Sequence, residues 1–73
     1  MRKWLKEARE DAGLSMKQFG EKLGISESYY SCIENGTRQK KMNLNLVIGI
    51  SSVLGIPINQ ITELEVQENA NKI

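Results

Sequence analysis

Residues 14–36, LSMKQFGEKLGISESYYSCIENG, decide how this chain folds, because two short helical patterns meet there through a single glycine, Gly24. The first amides and last carbonyls of a helix find no partner in its own ladder, so helix ends carry recognisable chemistry. Ser15 and Gln18 have the S-x-x-Q spacing of a capping box, and Leu14 and Phe19 are placed to close over that terminus as a hydrophobic staple. Gly24, after Leu23, can take the left-handed conformation that ends a helix, with Ile25 folding back on the last turn. Ser26 then caps a second helix, Ile25 and Tyr30 repeat the staple, and Asn35 and Gly36 supply the next stop.

Two helices in this relation read as a helix-turn-helix. In that motif the first helix braces against a nucleic-acid backbone and the second offers side chains to base edges in the major groove. On a wheel at 100° per residue, Tyr30 and Ile33 define the buried face of the second helix. Ser28, Ser31, Cys32 and Asn35 fall roughly opposite, Glu27 lies at one edge of that outer face, and Tyr29 and Glu34 occupy the flanks. A face of small polar groups fits a groove, but it equally describes the solvated side of an ordinary bundle helix. The tightly spaced preceding helix is what favours the groove.

Composition sets the outer bounds. Seventy-three residues make one domain whose core is marginal unless its helices pack well or the chain pairs with a second copy. A single cysteine, Cys32, excludes an internal disulfide framework and suits a reducing compartment. The sequence has no signal-peptide pattern and no apolar run long enough for a bilayer, so a cytoplasmic protein without a membrane partner is expected. With no histidine and no paired cysteines the usual zinc sites are missing; neither metal nor cofactor is expected, and catalysis has little to stand on. The net charge of +1 argues against a strong nonspecific DNA binder, but its distribution is uneven. Up to Thr62, nine bases face six acids, and the run TRQKK at 37–41 lies beside the proposed reading helix, where it can meet phosphates.

Residues 2–12 form the first helix, with Leu5, Ala8 and Ala12 in an apolar stripe that Trp4 widens. Gly13 stops it, and Leu14 both packs back on Ala8 and staples the next helix. Arg9 and Glu34 flank the apolar faces of their helices, so a bridge between them is geometrically reasonable. Lys17 stands in the first turn of its helix, either as plain solvent face or as a phosphate contact beside outward-pointing amides. Asn43 caps a fourth helix over 44–54, stapled by Met42 and Val47, in which Gly49 marks either a close approach or a tolerated weakness. Gly55 and Pro57 end it, and a short fifth helix runs to about Leu64. The domain therefore spans 1–64, followed by a polar tail, 65–73, expected to be frayed.

The pieces LKEARE-x-AGLS, FGEKLGIS, YYSCIENGTR and a later LGI before a short helix resemble, in that order, the Cro and phage-repressor type of helix-turn-helix regulators. The spacing LS-x3-F-x3-LGIS-x6-IENG is the most specific part. The resemblance implies an all-α, compact five-helix bundle of the lambda-repressor-like kind, homodimeric binding to a double-stranded DNA operator and a repressor role. Carried over to this chain, it makes Glu27, Ser28 and Cys32 the base-facing positions and Arg9 with Glu34 a structural ion pair. It sets Asn35 and the following loop, with Thr37, Arg38, Lys40 and Lys41, against phosphate; Lys17, from its first-turn position, and Tyr29, on the flank of the second helix, are further phosphate candidates. Dimer candidates on the last two helices are Ile48, Ile58, Ile61 and Leu64.

The chain departs from the family's pattern at several positions. Met16 stands where many members have a glutamine that bonds phosphate, Gly20 replaces a common alanine at the helix crossing, and Lys40 and Lys41 replace a loop proline. Glu27 is repelled by phosphate yet can accept from cytosine's amino group. The expected function is a sequence-specific repressor of a phage or mobile-element type locus, acting by occupancy. The rival reading is a protein-interaction module, an antitoxin-like or antirepressor partner that keeps the fold and binds little DNA. A redox sensor working through Cys32 is a further alternative, disfavoured because only the helix amino end and a distant base are there to stabilise a thiolate.

Overall fold

The structure is a computed structural model that describes residues 2–37 and 42–70. Five helices follow one another, α1 (Lys3–Asp11), α2 (Met16–Leu23), α3 (Glu27–Asn35), α4 (Leu44–Leu54) and α5 (Ile58–Ala70), and the described residues contain no strand. The expected all-α five-helix bundle is what forms.

Its helix ends obey local chemistry. The Ser15 Oγ accepts from the Gln18 amide at 3.1 Å while the Gln18 side chain accepts from the Ser15 amide at 2.9 Å, completing the capping box. Ser26 Oγ accepts from the Tyr29 amide at 3.1 Å, and Asn43 Oδ1 from the Leu46 amide at 2.8 Å. Gly24 and Gly36 stop α2 and α3 at φ of 76° and 81°, a left-handed conformation that a Cβ would strain.

One side chain or more from every helix enters a single core: Trp4 and Leu5 from α1, Phe19 from α2, Tyr30 and Ile33 from α3, Val47 and Ile50 from α4, and Ile61 from α5. The rings of Phe19 and Tyr30 lie 4.9 Å apart at 30° and join the two motif helices. Leu14, Leu23 and Ile25 close around this cluster, as the staples require, and Met16 joins them. That packing accounts for an apolar residue at position 16 where the family pattern has an amide. At Gly20 the α2 backbone comes so near the entry to α3 that a Cβ would stand 3.1 Å from the Ile25 carbonyl oxygen and 3.3 Å from that of Ser26. At Gly49 the neighbour is softer, the Cδ2 methyl of Leu23 at 3.0 Å.

Two expectations are corrected. The fifth helix does not stop near Leu64: α5 continues to Ala70, into the stretch 65–73 expected to be a frayed tail, of which 71–73 lie outside the described residues. The cause is polar and distant in sequence. Glu65 Oε1 accepts from Arg2 Nε at 2.8 Å and from the Trp4 indole N–H at 2.7 Å, and Glu68 accepts from the Lys3 amide at the otherwise uncapped start of α1. Ile61, expected on a dimer surface, is fully buried in the core, and Leu64 packs half-buried against it. Among the described residues, the large apolar side chains left exposed are Leu44, Ile48, Ile58 and Val66.

Candidate nucleic-acid interface

The corner of α2 and α3 is built from the inside outward. Tyr30 and Ile33 take the inner face of α3 with no exposure, which turns Glu27, Ser28 and Asn35 out to solvent and leaves Ser31 and Cys32 half-buried along the same outer side. Among the base-facing candidates, Glu27 and Ser28 thus stand free in the first turn and Cys32 lies one turn further on. Asn35 Nδ2 reaches back toward Ser31 Oγ at 3.5 Å, and the Thr37 hydroxyl donates to the Cys32 carbonyl at 3.3 Å, so both polar groups sit at the carboxyl end of α3. Lys17 is exposed in the first turn of α2. Arg38, Lys40 and Lys41 lie outside the described residues.

Tyr29 stands apart from the other phosphate candidates. It is half-buried and lines an open hollow of about 200 Å³ with Leu23, Ile25, Asn43, Asn45, Leu46 and Gly49, between the motif and α4.

What holds α3 in register is a buried charge pair. Glu34 has no exposed surface, and its carboxylate accepts from Arg9 Nε at 3.0 Å and from Nη2 at 3.4 Å. The remaining arm of Arg9 donates to the Leu14 carbonyl at 2.8 Å, so one guanidinium ties α1, the turn into α2, and α3. A bidentate fork satisfies the carboxylate in a way a lysine would not. The Glu34 hydrogen bond raises the Arg9 pKa, more than burial lowers it. The Tyr30 hydroxyl is buried beside the pair and makes no hydrogen bond of normal geometry among the described residues. Burial, and then the neighbouring carboxylate of Glu34, push its ionisation far above the usual phenol range.

Arg2, which was not among the expected site residues, is a buried arginine, 4% exposed, at the foot of α3. Its amide donates to the Glu34 carbonyl at 2.8 Å and its Nη1 to the Ile33 carbonyl. The available signal was faint: Ile61, Leu64, Glu65 and Glu68 recur at helical spacing, which continues one face of α5 past the point where its apolar residues thin out.

The surface so described is a short, rigidly docked helix with a small polar outer face, preceded by a capped helix across a one-glycine turn. Residues 5–61 match a family model described as helix-turn-helix. Over 49 residues, 67% of its length, the chain is 39% identical to a Bacillus subtilis (strain 168) protein named as an uncharacterized HTH-type transcriptional regulator, YqaF. The aligned stretch covers 64% of that relative's length. No solved structure gives a significant match.

Proposed function

Since the chain belongs to the Cro and phage-repressor type of helix-turn-helix regulator family, we propose that it is a sequence-specific repressor that reads operator half-sites through α3. The observation that carries this reading is the outer face of α3, where Glu27, Ser28 and Asn35 are exposed while the opposite face is locked by Tyr30, Ile33 and Glu34. Ser28 donates to or accepts from a base edge, Glu27 accepts from a cytosine amino group, and Cys32 offers a small apolar contact to a thymine methyl. Lys17, Tyr29, Asn35, Thr37 and the basic loop meet phosphate, so affinity falls steeply with salt.

A single module with so few base contacts gains specificity by pairing, and a two-fold dimer reads a pseudo-palindrome with half-sites about one helical turn, ~34–36 Å, apart. Leu44 and Ile48 on α4 and Ile58 and Val66 on α5, all exposed apolar side chains, support a homodimer built on these helices. The repressor acts by occupying its site, at a locus of phage or mobile-element type.

The test is fluorescence anisotropy with a labelled duplex carrying a selected site, across a salt series. Wild type is expected to bind with a clear negative slope of log affinity on log salt, and Ser28→Glu to lose binding while keeping its helical circular-dichroism spectrum. Binding that survives Ser28→Glu unchanged would reject readout through α3, and a wild type that binds no duplex even at low salt would reject the reading in favour of a protein-interaction module.

A further inference from the structure

We propose that Arg2 is a positioning residue for base readout, which pins the carboxyl end of the reading helix to α5 and so sets the tilt of α3 in the groove. The inference rests on the DNA-reading function proposed for α3.

An arginine is rarely buried without full compensation, since an uncompensated internal charge is costly. Arg2 is 4% exposed, and among the described residues its donors reach both α3 and α5. Its amide and Nη1 meet the carbonyls of Glu34 and Ile33, in the last turn of α3, while its Nε meets Glu65 on α5 at 2.8 Å. Glu65 is held in turn by the Trp4 indole. α3 has no basic residue of its own in its last turn, so the negative end of its dipole is met by a cation from outside the helix.

The two buried arginines do different work. Arg9 grips a side chain, Glu34, and thereby fixes rotation of α3 about its axis. Arg2 grips main-chain carbonyls at one end, and thereby fixes where that end lies. At the other end α3 is already fixed, because the α2 backbone at Gly20 abuts the carbonyls of Ile25 and Ser26. With one end seated on α2, a shift of the other end is a tilt, and it displaces Cys32 and Asn35 from a bound groove further than Ser28, which lies near the seated end. A side chain displaced by a fraction of an ångström loses a directional hydrogen bond to a base edge, whereas phosphate contacts tolerate it.

The experiment compares the full chain with Arg2→Met, which keeps an apolar stem and removes the donors, Glu65→Gln, which keeps the shape and removes the charge, and Val47→Ala. Val47→Ala is a core substitution on α4 that lowers stability without touching the clasp. Affinity is measured for a selected operator and for a scrambled duplex of equal length, well below each variant's unfolding midpoint. The ratio of the two affinities is expected to fall about tenfold in Arg2→Met and to fall measurably in Glu65→Gln, with scrambled-duplex affinity and salt slope unchanged. Val47→Ala keeps the wild-type ratio. Arg2→Met with an unmoved ratio overturns the proposal, as does a salt slope reduced by about one, which would make Arg2 a phosphate contact. If Arg2→Met does not fold, Glu65→Gln decides by the same criterion. A wild-type chain that prefers no duplex sequence removes the DNA-reading function and this proposal together, whereas a selective wild type with an unmoved ratio removes this proposal alone.

Discussion

Tyr30 buries its hydroxyl beside the Arg9–Glu34 pair with no hydrogen bond of normal geometry among the described residues, yet the Glu34 carboxylate lies near enough to help raise its pKa. Removing the hydroxyl takes away a buried polar group together with that weak interaction, and the two effects oppose each other. Tyr30→Phe should therefore change stability in urea at pH 7 by no more than about 1 kcal/mol. The same site makes a prediction in pH. Because the folded pKa is raised above the unfolded value of 10.0, the folded state holds its proton more tightly, and stability is full below about pH 10 and falls as pH rises beyond it. Tyr30→Phe is expected to flatten part of that alkaline loss, as seen in urea midpoints measured from pH 8 to 11. Glu34→Ala strands the Arg9 guanidinium and should cost about 3–5 kcal/mol in the same measurement. The flanking positions of Arg9 and Glu34 could be read from a helical wheel. The burial of Glu34 and of Arg2 could not, because it depends on how three helices converge.

Among the elements, the two helical glycines test close packing with opposite expected signs. At Gly49 an alanine gains about 0.5–1 kcal/mol of helix propensity, and the methyl it meets is the free end of Leu23, which lines an open hollow and can rotate into it. Gly49→Ala should raise the melting temperature by roughly 2–8 °C. At Gly20 the obstacles are backbone oxygens at 3.1 and 3.3 Å, which cannot swing away, so Gly20→Ala is expected to bring no gain and a lower melting temperature. Scanning calorimetry on the two variants separates these outcomes. The helix boundaries around Ser15, Gly24, Ser26, Gly36, Asn43 and Gly55 were legible because capping is written within a few residues. The end of α5 was not. Its last turns are fastened by Glu65 and Glu68 to residues more than sixty positions earlier, and a local reading of a polar segment sees only a tail.

For the molecule as a whole, that fastening closes the chain on itself, first helix to last. A chain ending after Leu64 should fold less stably by about 2–4 kcal/mol, from the loss of charge-assisted bonds to Arg2, Trp4 and Lys3; a frayed tail would cost nothing. Urea unfolding of the shortened and full chains distinguishes the two. The closure also separates two layers of the molecule. The fold rests on Leu5, Phe19, Tyr30, Ile33, Ile50 and Ile61, fully buried and indifferent to what is bound. The proposed recognition draws instead on the few exposed residues of α3, Glu27, Ser28 and Asn35. The most direct test of the claim that α3 reads DNA is therefore selection of bound sequences from a random duplex library. The expected result is an enriched motif of two symmetry-related half-sites with centres about 10–10.5 base pairs apart, altered at defined positions when Ser28→Ala replaces the wild type. Recovery of no enriched motif at low salt would contradict it.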